Sequence, residues 1–379
     1  MRQAWVASTR SVRYNGGMRF PDPSEITGTP RSSLRDHDAG LTGSGPLGGL
    51  VAAGLAVLGA SAAVAAGQRR RKERVSRESG QARHHERFGS AVELLASDRP
   101  AARLGGCHAL AGLADDWDAG RQTCIDVLCS CLRMPYEPPA DLPARAGEAA
   151  RTRVRDAEAE RALRRAVVDI IGERLRREPV AGRTWHGHRF RLVAAVLDGG
   201  DLRGIRLTAG TVLELRHARF PEGIVEFDGA RLEGGTVDLT EAGFDSGTVS
   251  FDDLTLAEGL LNFRSAFFHG GDVSLRRACF AGGTADFGDS SVEGSDLCFD
   301  GAVFTGSRVD FDGADLVDGC LRFADAGFAG GTVDLTGAEF SGATVDFSAA
   351  RPPESDAQPV RLPGPGTDPT GLRRPPEQG

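Results

Sequence analysis

From residue 215 onward the apolar positions of this chain recur every twelve residues. The leading position reads Leu215, Phe227, Leu239, Phe251, Phe263, Leu275, Phe287, Phe299, Phe311, Phe323, Leu335 and Phe347, so it is Phe or Leu each time. Five residues later stands a second apolar position, running from Phe220, Leu232 and Phe244 to Phe328 and Phe340. Ala usually precedes it by two residues, as at Ala230, Ala242, Ala314 and Ala338, and a Gly-rich corner follows, as at Gly234-Gly235 and Gly330-Gly331. A twelve-residue unit cannot bury such large side chains alone, but stacked units bury them in a continuous column. In Val237-Asp238-Leu239 the strand alternation turns Val237 and Leu239 inward and Asp238 outward. One repeat per turn would be too narrow for this core. The pattern therefore predicts a right-handed parallel β-helix or solenoid over residues 190–350, with two repeats, about 24 residues, per coil. Six coils at ~4.8 Å each make a rod about 30 Å long. Its ends would expose strand edges, which the segment upstream could cover at one end.

Upstream the spacing changes to three and four. Phe88, Val92 and Leu95 predict one helix face, and Leu104, Ala109, Leu110 and Leu113 a second. Cys124, Ile125, Leu128 and Leu132 predict a third, stopped by Pro135, Pro138 and Pro139. Leu163, Val167, Ile170, Ile171 and Leu175 predict a fourth, longer helix. Residues 84–180 thus read as a helical, HEAT-like module, and the chain as α+β.

Pro46 to Gly67 carries no charge and as a helix would span about 30 Å, the thickness of a bilayer core. The flank Gln68-Arg69-Arg70-Arg71-Lys72-Glu73-Arg74 is strongly basic, and the positive-inside rule places it on the cytoplasmic side. A signal peptide and a buried soluble helix are the competing readings of 46–67; the basic cluster directly behind it argues against the first. The expected order is a disordered segment 1–45, a membrane helix 46–67, a basic linker 68–83, the helical domain 84–180, the solenoid 190–350 and a disordered Pro-rich tail 351–379.

The net charge of −8 conceals an asymmetry: residues 201–350 hold 26 acidic and 10 basic residues, a local charge of −16. Phosphate contacts need Lys and Arg, so direct nucleic-acid binding by the solenoid is not expected. The seven cysteines are odd in number and form no CxxC pair, which points to reduced thiols rather than a disulfide framework or a zinc site.

The steps Ala230-Arg231-Leu232, Ala314-Asp315-Leu316 and Ala338-Glu339-Phe340 resemble pentapeptide-repeat proteins, whose unit is roughly A-D/N-L-x-x. That resemblance implies a right-handed quadrilateral β-helix and no settled biochemical activity. Here one five-residue step alternates with a seven-residue step such as Glu233 to Leu239. The layout over residues 46–350 is similar to membrane-tethered pentapeptide-repeat proteins of the actinobacterial type.

Few residues suggest chemistry. Gly43 to Gly48 matches GxGxxG by letter, but lacks the preceding strand that a dinucleotide site needs. His84-His85 and His186-Gly187-His188 lack further ligands at metal spacing. Asp115-Asp116-Trp117 reads as a helix end with a cap and a buried indole, and Cys124, Cys129 and Cys131 as small buried apolar residues. No cofactor, no metal and no catalytic residue is expected.

The outward positions Asp238, Asp286, Asp310 and Asp334 fall 24 or 48 residues apart and form an acidic column. It reads either as a solvated face or as a docking surface for a basic protein partner. The leading expectation is a membrane-anchored, single-pass, cytoplasm-facing scaffold that is not an enzyme, with pairing of two copies through the solenoid end. A DNA-mimic inhibitor of a topoisomerase or another DNA-binding protein is the alternative. An enzyme using the groove between helices and solenoid comes third.

Overall fold

The computed structural model describes residues 68–74, 79–139, 147–351, 360–362 and 371–373. The proposed membrane segment 46–67 and the expected N-terminal disorder lie outside these residues. Among the described residues, no helix is long and apolar enough to cross a membrane.

Helical backbone occupies 68–74 and 79–95 (α1). Then follow α2 (Pro100–Asp116), a 3-10 turn (Asp118–Gly120), α3 (Arg121–Arg133) and α4 (Glu148–Arg176). The expected stripes shift by a residue or two. Ala91 is buried whereas Val92 is 36% exposed, and Leu104 is 37% exposed while Gly106, Cys107, Leu110, Ala111, Leu113 and Ala114 are buried. Close approach of α1 to α2 explains the shift: a Cβ on Gly106 would lie 2.9 Å from the Ala91 carbonyl oxygen.

From Arg189 the chain winds into a parallel β-solenoid of about seven turns with about 24 residues per turn, one turn more than the repeat count suggested. Each turn has four walls. The first runs from Arg189–Arg191 through Thr284–Asp286, Arg308–Asp310 and Thr332–Asp334 to Val360–Arg361. The second runs from Arg219–Phe220 to Asp315–Leu316 and Glu339–Phe340. The third spans Gly200–Asp201 to Thr344–Asp346 and Gly371–Arg373. The fourth runs from Arg206–Thr208 to Gly327–Phe328. The strands Arg231–Asp238 and Thr255–Asn262 pass through a corner and join the fourth wall to the first. Register is irregular at the start, where Arg189 pairs with Val212 and Gly200 with Val225. From Val212 to Asp334 the first wall is regular: Val212 pairs with Thr236, Thr236 with Leu260 and Leu260 with Thr284.

The regular register places like residues on top of one another. Four inward columns result. One holds Phe263, Phe287 and Phe311, with Leu at its ends, and another holds Phe299, Phe323 and Phe347. The other two contain Phe220-Phe244-Phe268 and Phe280-Phe304-Phe328. Rings in a column lie 4.4–5.0 Å apart and nearly parallel, the spacing that neighbouring strands impose. Each such pair adds about 0.5–1.5 kcal/mol beyond its burial.

The corners that follow the first and third walls share one plan. The Ala242 N–H donates to the Leu239 carbonyl at 3.0 Å, and the residue between, Glu241, has φ 57°. This is a type II turn, whose third residue needs positive φ. The same position falls every twelve residues from His217 to Asp325 and is Gly only at Gly229, Gly301 and Gly313.

The helical module covers the first coil. The Gln122 side chain both donates to the Arg189 carbonyl at 2.7 Å and accepts from its N–H at 3.1 Å, as a neighbouring strand would. Asp169 on α4 accepts from the Asp201 N–H at 3.1 Å. Gly172 lets α4 close on the coil, since a Cβ there would sit 2.4 Å from the Asp201 carbonyl oxygen.

Two short described segments of the tail form strands. Val360–Arg361 pairs with Val333 and Asp334, and Gly371–Arg373 pairs with the strand Thr344–Asp346. Val360-Arg361-Leu362 repeats the Val333-Asp334-Leu335 pattern, so the apolar residues drive this partial coil into place while Arg replaces Asp outside. An insertion of three residues obscures the period: Val360 follows Val333 by 27 residues instead of 24.

Candidate functional site

The four predicted column residues do share one wall. Asp286 pairs with Asp310 and Asp310 with Asp334 in register, and Asn262 separates Asp238 from Asp286. Glu214 extends the column upward, and Arg361 ends it below.

Their carboxylates, however, are turned back onto the rod. Asp238 Oδ1 accepts the Thr240 N–H at 3.2 Å, Asp286 that of Gly288 at 2.8 Å, Asp310 that of Asp312 at 3.2 Å and Asp334 that of Thr336 at 3.2 Å. Each Asp thus caps the corner that follows it, the local bond for which Asp is favoured at turns. The second oxygens meet arginines. Arg308 lies 2.8 Å from Asp310 and 3.4 Å from Asp334, Arg361 lies 3.5 Å from Asp334, and Arg264 lies 3.6 Å from Asp286. The Asp334 side chain is only 8% exposed. Burial pushes its carboxyl up, but the Thr336 hydrogen bonds and the charges of Arg308 and Arg361 outweigh burial and hold it below the usual carboxylate range.

Carboxylates that face solvent lie elsewhere. On the second wall Asp315 stands directly opposite Glu339 in register, and both are exposed. Asp318, also exposed, occupies the next corner. Among the described residues no cation pairs with these three. Like charges opposite one another on neighbouring strands are unfavourable. The sequence signal for this face is the outward residue of each five-residue step, here Asp315 and Glu339.

The remaining candidates have structural partners. His186 is buried, and its Nε2 lies 3.0 Å from the Arg177 carbonyl. His188 Nδ1 lies 3.1 Å from the His186 carbonyl. His84 and His85 pack on the Trp117 ring. Asp115 accepts the indole N–H of Trp185 at 2.8 Å, and Asp116 pairs with Arg87 at 3.3 Å. The buried indole is therefore that of Trp185, while Trp117 is half-buried. Cys124 and Cys129 are buried as expected; Cys131 is partly exposed. Between α4 and the first coils, the buried Asp198 accepts from Tyr136 at 2.6 Å and from Arg161 at 2.7 Å. Burial first, and then the Asp198 contact, raises the Tyr136 phenol to about 12. Among the described residues, no group of three or more His, Cys, Asp or Glu is placed to hold a metal ion.

No family model, no curated protein and no solved structure matches this chain.

Proposed function

We propose that the chain is a non-enzymatic scaffold whose acidic solenoid docks a basic protein segment at the cytoplasmic face of a membrane. The supporting observation is the opposed pair Asp315 and Glu339, with Asp318 beside it: three exposed carboxylates on a rigid wall, with their repulsion uncompensated among the described residues. A Lys- or Arg-rich partner would relieve that repulsion. The column Asp238, Asp286, Asp310 and Asp334 serves chiefly to hold corners in this reading, and adds to the field of the rod. Tethering rests on the uncharged run 46–67 and on the exposed basic helix 68–74 behind it. The right-handed winding and the HEAT-like character of the helices belong to the same proposal.

Two measurements test it. Titrating the full chain with an oligo-arginine peptide should show binding that weakens with salt. A variant with Asp315→Asn, Asp318→Asn and Glu339→Gln should lose most of that binding, and Asp310→Asn little. Equal binding by all three proteins would remove the docking face. Membrane fractionation should find the full chain in the pellet and a version lacking 46–67 in the supernatant; a soluble full chain would refute the tether. Topoisomerase inhibition by the full chain would favour the DNA-mimic reading instead.

A further inference from the structure

Two thiols in the helical module meet although they are far apart in sequence. Helices α2 and α3 form an antiparallel hairpin about the 3-10 turn Asp118–Gly120. Cys107 and Cys131 stand equally far before and after Ala119, so the hairpin brings them level, each about 18 Å from the turn at ~1.5 Å per residue. The two thiols are close enough to perturb one another, and the Cys131 thiol donates to the Val127 carbonyl at 3.6 Å. Cys107 is fully buried and Cys131 partly exposed.

We propose that Cys107 and Cys131 are a peroxide-oxidisable dithiol that closes as a disulfide between α2 and α3. Cys131 is the attacking sulfur. The adjacent Cys107 thiol and the positive charge of Arg103 bring its thiol down to about 7, against burial and the charge of Glu160. Arg103, one turn before Cys107, is held by Glu160 of α4 at 2.6 Å. The adjacent Cys131 sulfur and burial push the Cys107 thiol up. Burial raises Cys124 to about 11 and Cys129 to about 12, so these neighbours stay protonated at neutral pH. The thiolate is the reactive form, which singles out Cys131.

The chemistry balances with one hydrogen peroxide. The Cys131 thiolate attacks one peroxide oxygen, the O–O bond breaks, and the departing hydroxide takes a proton to become water. Cys131 is left as a sulfenic acid. The Cys107 sulfur then attacks the Cys131 sulfur, the S–O bond breaks, and hydroxide leaves with the Cys107 proton as a second water. Two thiols have lost two electrons and peroxide has gained them.

The bond would fix the end of α3 against α2. Arg164 on α4 accepts its place from that same end, donating to the Cys131 carbonyl at 3.1 Å and to the Val196 carbonyl of the first coil at 3.1 Å. Oxidation would therefore tighten the cover of the solenoid, independently of any docking by the rod.

Peptide mapping of the full chain decides the matter. After brief peroxide treatment, denaturing alkylation and trypsin, peptides 104–121 and 122–133 should appear joined through Cys107 and Cys131, short of two hydrogens and separable by dithiothreitol. Iodoacetamide at pH 7 should modify Cys131 at least ~10-fold faster than Cys124 or Cys129. Cys107→Ser should stop at a Cys131 sulfenic acid that dimedone captures, with an unchanged far-ultraviolet spectrum. Should that variant fail to fold, the wild-type map alone decides. A bond to Cys124 or Cys129, or peroxide treatment that leaves Cys107 and Cys131 alkylatable, would overturn the proposal.

Discussion

Arg164 of α4 and Val196 of the first coil are joined by a hydrogen bond of 3.1 Å from guanidinium to carbonyl. The same buried side chain also donates to the carbonyls of Leu132 and Cys131, so one arginine ties together two helices and the solenoid. Its nearest carboxylate, Glu160, is 3.9 Å away, so its charge is balanced largely by backbone oxygens. Desolvation lowers its pKa accordingly. Arg164→Met should cost about 3 kcal/mol or more, because buried carbonyls are left without donors. Chemical denaturation checks this, and a loss below ~1 kcal/mol would contradict the tie.

The ring columns make a graded prediction. Phe287 sits between Phe263 and Phe311, with ring centroids 4.6 and 4.8 Å away. Phe287→Ala should destabilise by about 3–5 kcal/mol through the cavity it leaves. Phe287→Leu should cost markedly less, since Leu239 and Leu335 fill the same column elsewhere. Equal losses for the two variants would mean that ring stacking, rather than volume, dominates.

Corner geometry predicts a gain. Asp325 has φ 57° and is exposed. Gly adopts this conformation freely, whereas a side chain is strained there by ~1 kcal/mol. Asp325→Gly should therefore raise thermal stability slightly, and Asp325→Val, β-branched, should lower it. Calorimetry on both variants gives the sign.

Acid stability follows from the capped carboxylates. The hydrogen bonds from Ser348, and less so the Arg373 charge, lower the Asp346 carboxyl, and Asp334 is also lowered in spite of burial. An unfolded chain takes up these protons at a higher pH, near ~3.9, than the folded one does. Their stabilisation is complete above that range and is lost as pH falls through the folded values. Replacing both by Asn should flatten the decline in melting temperature below about pH 4. An unchanged decline would show that other carboxylates govern it.

The core was open to reading because strand stacking demands like residues at a constant interval: the Phe and Leu positions from Leu215 to Phe347 are all buried. The column of Asp238, Asp286, Asp310 and Asp334 was placed on one wall, but its direction was hidden. Whether a carboxylate reaches solvent or its own corner depends on an N–H two residues on, which alternation does not encode. The opposed Asp315 and Glu339 needed the second wall, which emerges only once each turn is known to have four. The meeting of Cys107 and Cys131 needed the hairpin, and the strands of the tail needed a three-residue shift in register.

The unlike coils at either end of the solenoid leave its middle as the place where length can vary. Excising a full turn of residues from the regular section would join wall to matching wall and yield a shorter ruler with the same endings. Cutting out half a turn would deliver Val360 to the side that Leu372 now occupies, and the two endings would no longer face their seats. Growth or shrinkage of this molecule is thus quantised in units of about one strand spacing, ~4.8 Å.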